Sequence, residues 1–189
     1  MNQFKTPYGL TQDEKTGLFY IADTFNYRIM VYTFGNSSGL LVAGQGTAGC
    51  SNTQFNASRS VYFDSITNSL LISSHYCHQI VRWILGATNW TLVAGSSSGL
   101  SGSNSNTLRY PVGLTLDPMR NLYIADAYNF RVQFFLPGQS NGTTIVRNTT
   151  MSGSNVSLAN VPYGVALDDQ LNLFVSDFSN HQVLKFLRY

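Results

Sequence analysis

The chain has 189 residues, 43% hydrophobic, 13% aromatic and only 11% charged, with a formal net charge of +2 from 11 basic and 9 acidic residues. That aromatic content excludes a disordered chain, and one glutamate (Glu14) with three lysines (Lys5, Lys15, Lys185) leaves too few helix formers for a helical bundle. The balanced charge gives no electrostatic case for a nucleic-acid partner.

No run approaches the roughly 18 apolar residues of a membrane span. The opening residues Met1, Asn2, Gln3, Phe4 and Lys5 lack the hydrophobic core of a signal peptide. On that ground the sequence reads as cytosolic or as a piece of something longer.

Four units then follow one another at a spacing of about 51 residues. The first has apolar runs near 8–13, 18–22, 27–33 and 40–43, with Pro7 and Gly9 at the first run, Asp23 closing the second, and Asn26 and Arg28 opening the third. The second unit is divergent but in register: Ser74 stands for the aspartate, Cys77 for the asparagine, and Leu92-Val93-Ala94-Gly95 repeats Leu41-Val42-Ala43-Gly44. The third returns to the pattern with Pro111, Gly113, Asp126, Asn129 and Arg131, and Thr143-Thr144-Ile145-Val146 is its weaker fourth run. The last has Pro162, Gly164, Asp177 and Asn180, then Val183 to Phe186, and the chain stops at Tyr189 before a fourth run.

Short β-branched and aromatic runs parted by Gly, Asn, Asp and Ser read as strands. Four strands per repeat of this length signal a propeller blade. The expected fold is an all-β single domain over 1–189, with four-stranded antiparallel blades near 4–54, 55–107, 108–157 and 158–189. The last blade lacks its outer strand, so the expected ring is partial and leaves blade edges open to self-association.

The pattern Pro-x-Gly-Leu/Val, Leu-x-Ile/Val-Ala/Ser-Asp, Asn-x-Arg/Gln-Ile/Val and a closing aromatic resembles the NHL repeat, which builds β-propellers. The resemblance covers nearly the whole chain, in full in three of the four units. It implies a fold that hosts many functions. Enzymes related to this architecture, amidating lyases and lactonase-like metal hydrolases, place several His or carboxylate ligands around the axis, and this sequence offers no such ring. Some NHL propellers attached to ubiquitin-ligase modules bind RNA, which needs a basic face that the scattered arginines and lysines do not supply.

The recurring residues have structural readings. Asp23, Asp126 and Asp177 sit three residues before Asn26, Asn129 and Asn180, where they are expected to cap the turn through backbone N–H groups, with the asparagines tolerating the left-handed conformation. Arg28 and Arg131 are placed to reach a carboxylate of the same or the neighbouring blade. Gly9, Gly113 and Gly164 allow close backbone approach near the axis, where Tyr8, Tyr62 and Tyr163 are expected to pack in the core, the alternative being that they line a central channel that grips a ligand. His75 and His78, with Cys77 between them, are the candidate metal ligands, although their spacing matches no structural zinc pattern. No catalytic residue or cofactor is assigned.

In an up-and-down blade the connection entering the first strand and the turn between the second and third emerge on one face. Cys50 and Cys77 occupy those two places in the second unit, which predicts a disulfide between them. Six Asn-x-Ser/Thr sequons, at Asn36, Asn56, Asn89, Asn141, Asn148 and Asn155, fall in loops or at outer-strand edges and are candidate glycosylation sites. Disulfide and sequons together favour an extracellular parent. The function expected is non-enzymatic: a binding or scaffold module presenting loops to a protein or glycan ligand. The alternative is a metal-dependent lyase or lactonase-like propeller enzyme acting through the central channel.

Overall fold

Repeated Gly- and Asn-rich turns cut the apolar runs to four to seven residues, so each run pairs with its sequence neighbour and the chain folds as a series of meanders. The computed structural model describes residues 3–147 and 160–188. The first sheet is β1 (Pro7–Asp13), β2 (Leu18–Asp23), β3 (Arg28–Tyr32) and β4 (Leu40–Ala43). The second is β5 (Ser58–Asp64), β6 (Ser69–Ser74), β7 (Gln79–Ile84) and β8 (Thr91–Gly95). The third is β9 (Pro111–Leu116), β10 (Leu122–Asp126), β11 (Arg131–Phe135) and β12 (Thr143–Arg147). The fourth is β13 (Pro162–Leu167), β14 (Leu173–Asp177) and β15 (Gln182–Phe186). Every pairing is antiparallel between consecutive strands. The four sheets are propeller blades, and the fourth has three strands among the described residues. The expected boundary between the third and fourth blades lies outside the described residues.

The innermost strands β1, β5, β9 and β13 pack in that order. Three apolar layers lie between successive blades. Tyr20, Ile29, Phe55, Leu70, Ile72 and Trp83 join the first to the second. Leu71, Ile80, Leu114, Leu122, Ile124 and Phe135 join the second to the third, and Val132, Val146, Leu173 and Val175 join the third to the fourth. Alternation along each strand sends one set of side chains to each neighbouring blade. At the end of the series the rule leaves a face uncovered. Val183 of the fourth blade is 66% exposed, whereas Ile80, at the same register in the second, is fully buried.

Ion pairs fasten the rim. Asp64, at the end of β5, accepts hydrogen bonds from Arg82 of its own blade (2.8 Å) and from Arg120 of the third (2.7 Å). Burial pushes the Asp64 carboxyl up, but hydrogen bonds from Thr67, Arg82 and Arg120 outweigh it and hold the pKa down at about 2. No helix among the described residues is long and apolar enough to cross a membrane.

At Gly9 and Gly113 the backbone of the next inner strand comes close. A Cβ on Gly113 would lie 2.6 Å from the Tyr163 carbonyl oxygen, and one on Gly9 would lie 2.8 Å from the Ser60 Cα. On Gly164 it would meet only the Ser176 hydroxyl, at 3.1 Å. Gly113→Ala is therefore expected to destabilise the fold by about 1–3 kcal/mol through overpacking, and Gly164→Ala by less. Urea denaturation of the two variants checks this order.

Candidate functional site

A single arrangement recurs on the face where strands β2, β6, β10 and β14 end. Each is followed by one 3-10 turn: Thr24–Asn26, His75–Cys77, Ala127–Asn129 and Phe178–Asn180. The aspartates do not cap these turns, as the sequence led us to expect. Asp23 Oδ1 accepts from the Lys5 N–H (2.7 Å), Asp126 Oδ1 from the Arg109 N–H (2.6 Å), and Asp177 Oδ1 from the Asn160 N–H (2.8 Å). Each carboxylate thus staples the segment entering the innermost strand of its own blade. The other oxygen takes the turn asparagine: Asn26 on Asp23, Asn129 on Asp126 and Asn180 on Asp177, at 2.7–2.8 Å. Arg28 and Arg131 add 2.8 Å bonds to Asp23 and Asp126 of the same blade, not of a neighbour. Burial raises the Asp126 pKa above the usual carboxylate value, partly offset by Arg109 N–H, Asn129 and Arg131. The left-handed position also differs from expectation. It falls one residue after the asparagine, or after Cys77 in the second blade, on Tyr27, His78, Phe130 and His181, with φ between 53° and 55°.

The second blade replaces this network in parts. Ser74 Oγ accepts from the Asn56 N–H (3.1 Å), doing with a hydroxyl what the aspartates do elsewhere. Gln79 stands at the place of Arg28 and donates to the Ser96 carbonyl (2.6 Å). In the third blade the Asn129 amide donates to the Gly102 carbonyl (2.7 Å), tying the turn to the connection from the preceding blade. At the corresponding place Cys77 is joined to Cys50 by a disulfide, with Cα atoms 5.6 Å apart. A covalent link thus takes the place of the asparagine's hydrogen bond. It also removes Cys77 as a thiolate ligand for metal.

At the axis, one register position of the innermost strand carries Tyr8, Arg59, Val112 and Tyr163 in the four blades. Sequence reasoning missed Arg59, although its place in the divergent repeat signals it. The Arg59 guanidinium carbon lies 4.8 Å from the Tyr8 ring centroid, and Nη1 donates to the Tyr163 hydroxyl (2.7 Å). Arg59 makes no ion pair among the described residues, and its buried Nε has no hydrogen-bond partner. Tyr8 is half exposed rather than packed in the core. Tyr62 departs further from expectation: it lies away from the axis, against the apolar layer between the second and third blades.

His75 and His78 border this zone in an aromatic cluster. The His75 ring meets Tyr76 and Tyr110 with centroids 5.0 and 5.1 Å away, His78 meets Tyr110 at 4.5 Å, and Tyr110 meets Tyr128 at 4.9 Å. His75 Nδ1 lies 3.1 Å from the Pro111 carbonyl oxygen, which only accepts, so Nδ1 carries the proton. His78 Nδ1 accepts from the Tyr110 N–H (3.1 Å). Burial, with Arg59 and His78 adding to it, lowers the His75 pKa to about 4. Burial and Arg109 lower that of His78. Both rings are neutral near pH 7. His181 is exposed on the fourth blade and does not join them.

The sequons separate by face. Asn36, Asn89 and Asn141 are exposed in the loops between the third and fourth strands of their blades, on the face opposite the stapled turns. Asn56 lies on the turn face and is half-buried. Asn148 and Asn155 lie outside the described residues.

Meandering antiparallel blades stacked around an axis, three of them closed by an Asp–Asn pair and the second by a serine and a disulfide, define a β-propeller. The NHL repeat family model matches residues 108–135 and 160–186, the third and fourth blades. The chain is a β-propeller whose third and fourth blades match the NHL repeat. It is 26% identical over 208 aligned positions to Protein SUPPRESSOR OF QUENCHING 1, chloroplastic, of Arabidopsis thaliana, covering 96% of this chain and 20% of that protein. It is 36% identical over 83 positions to human NHL repeat-containing protein 2, covering 40% of this chain and 11% of that one. Among solved structures, a Bacteroides thetaiotaomicron protein of unknown function superposes with a TM-score of 0.76 at 13% identity, over 95% of this chain and 46% of that one. A streptogramin B lyase (TM-score 0.62, 14% identity, 96% of this chain and 51% of that one) and a putative gluconolactonase (0.70, 15%, 100% and 61%) share the fold. The chain therefore spans a fifth or less of these curated relatives and about half of the solved propellers.

Two outcomes follow from the turn face. Reducing the Cys50–Cys77 disulfide, which closes a separation of 27 residues, is expected to cost about 3–4 kcal/mol on the chain-entropy account. Thermal denaturation with and without reductant measures it. The second concerns pH. An unfolded histidine binds a proton near pH 6.5, whereas folded His75 does so only near pH 4. The unfolded chain holds the extra proton between those values, so stability falls as pH drops from about 6.5 to 4. His75→Gln should flatten that part of a melting-temperature profile against pH.

Proposed function

We propose that this chain is a non-enzymatic binding module whose axial turn face receives a partner bearing a carboxylate. The observation that carries this reading is Arg59, a guanidinium set between Tyr8 and Tyr163 and free of any ion pair among the described residues. An arginine held over one tyrosine ring and hydrogen-bonded to the hydroxyl of another is preorganised to take a carboxylate in a forked pair. The exposed rings of Tyr8 and Phe178, the latter stacked on Tyr163 at 4.9 Å, extend the platform. An acidic side chain of a protein and a uronate of a glycan share this chemistry.

The same reading places the parent protein in an oxidising compartment, on the strength of the disulfide and the loop sequons. The uncovered faces of the end blades, with Val183 on one side and Leu10 and Leu41 exposed on the other, support association with further blades or copies.

Titrating the protein with a glutamate-rich peptide and, separately, with oligogalacturonate tests the axial site and tells the two sources apart. Arg59→Gln is expected to weaken binding of the preferred one at least tenfold, and binding should weaken with salt. Equal affinity in the variant would sink the reading. In the alternative, a metal-dependent lyase or lactonase-like propeller, purified protein would carry one metal ion per chain, lost on replacing His75 and His78.

A further inference from the structure

The face opposite the stapled turns carries a second feature, which the axial reading does not use. Between the second and third blades lies a cleft of about 380 Å³. Its origin can be traced position by position. In the layer between the first and second blades, Tyr20, Trp83 and Trp90 fill the space. One repeat later the strand registers put Leu71, Phe135 and Gly142 at those positions, so each ring is replaced by a smaller side chain or by none. At the position of the apolar Val31 the second blade instead carries Arg82. Bulk has been withdrawn and a cation put in.

Among the residues that line the cleft, the charged ones are Arg82 and Arg120. Both share one acid, Asp64. Arg82 Nη1 lies 2.7–2.8 Å from oxygens of Asp64, Thr67 and Ser69, so both of its N–H groups are used. Arg120 donates to Asp64 through Nη2 alone, and its Nε is buried without a partner. Two guanidiniums share Asp64 as their ion-pair partner, which leaves Arg120 with donor capacity unfilled at one end. The apolar lining runs from the buried Leu71, Leu122 and Phe135 to the more exposed Leu92 and Leu136. The volume falls at the lower end of the roughly 300–1,000 Å³ found for small-molecule sites.

We infer that the cleft between the second and third blades is a binding site for a small amphiphilic organic anion, its acidic head against Arg120 and Arg82 and its apolar body against Leu92 and Leu136 over the floor formed by Leu71, Leu122 and Phe135. An unfilled apolar space would take a neutral ligand equally well. The buried Arg120 Nε, lacking any acceptor, selects one with an anionic oxygen. The cleft opens beside the exposed loop that bears Asn141, so a ligand enters from solvent at the rim.

The test uses 4-phenylbutyrate and its uncharged counterpart 4-phenylbutanol, titrated into the 189-residue chain by calorimetry, with amide NMR shifts locating the site. Saturable binding of the acid is expected, with shifts at Leu92 and Gly138 and at least tenfold weaker binding of the alcohol. Leu92 is a rim residue, 37% exposed, so Leu92→Trp can fill the cleft without entering the core and should abolish the binding at unchanged melting temperature. Arg120→Gln should weaken it about fivefold. No saturable binding of the acid, equal affinity for the alcohol, or full affinity in Leu92→Trp would each overturn the inference.

Discussion

Each full repeat hangs on one buried carboxylate. Asp23, Asp126 and Asp177 have no exposed surface, and each reaches in two directions. One oxygen holds the backbone entering the innermost strand, and the other holds the asparagine of the following turn and, in the first and third blades, an arginine. A lone charge so deep would be strongly disfavoured; met by several donors it becomes a junction with a fixed geometry. That junction sets where the inner strand starts, and therefore which of its residues turns toward the axis. The second blade reaches the same outcome with a serine hydroxyl and a disulfide. The position matters more than the chemistry that holds it.

Because the junctions fix register, the apolar layers between blades can vary. The first layer is filled by two tryptophans and a tyrosine, and the second leaves a cleft, yet the strands keep the same pairing. Asp64 compensates at the rim by joining arginines of two blades. Each layer joins only neighbouring blades, as in other repeat folds.

Strand order and blade number were legible in the sequence because the repeat is written in residues with local consequences. Pro7, Pro111 and Pro162 mark the inner strands, and the Asp–Asn spacing marks the turns. What was not legible is where a side chain goes once the turn is made. The aspartates look like turn caps by spacing, but their strongest partners are amides 17 or 18 residues earlier, as with Lys5 and Arg109, which only the closed blade brings near. Tyr62 resembles Tyr8 and Tyr163 in type but not in register, and register alone decides between axis and layer. Arg59 was passed over because it belongs to the divergent repeat, where departures from the pattern read as decay. Comparing the four blades column by column would have shown it as the cation among Tyr8, Val112 and Tyr163.

That column has a wider meaning. Repetition gives the scaffold a near-rotational symmetry, yet a ligand without that symmetry needs unlike groups pointing at it from different sides. The inner-strand position supplies one pointer per blade, and each lies on a backbone whose course is fixed independently of its side chain. A single codon change in one repeat therefore rewrites one sector of the channel and leaves the other sectors and the frame untouched. Tyrosine, arginine, valine and tyrosine form one such inscription around this axis. A duplicated chain can thus hold a stable architecture while its centre drifts from one chemistry to another.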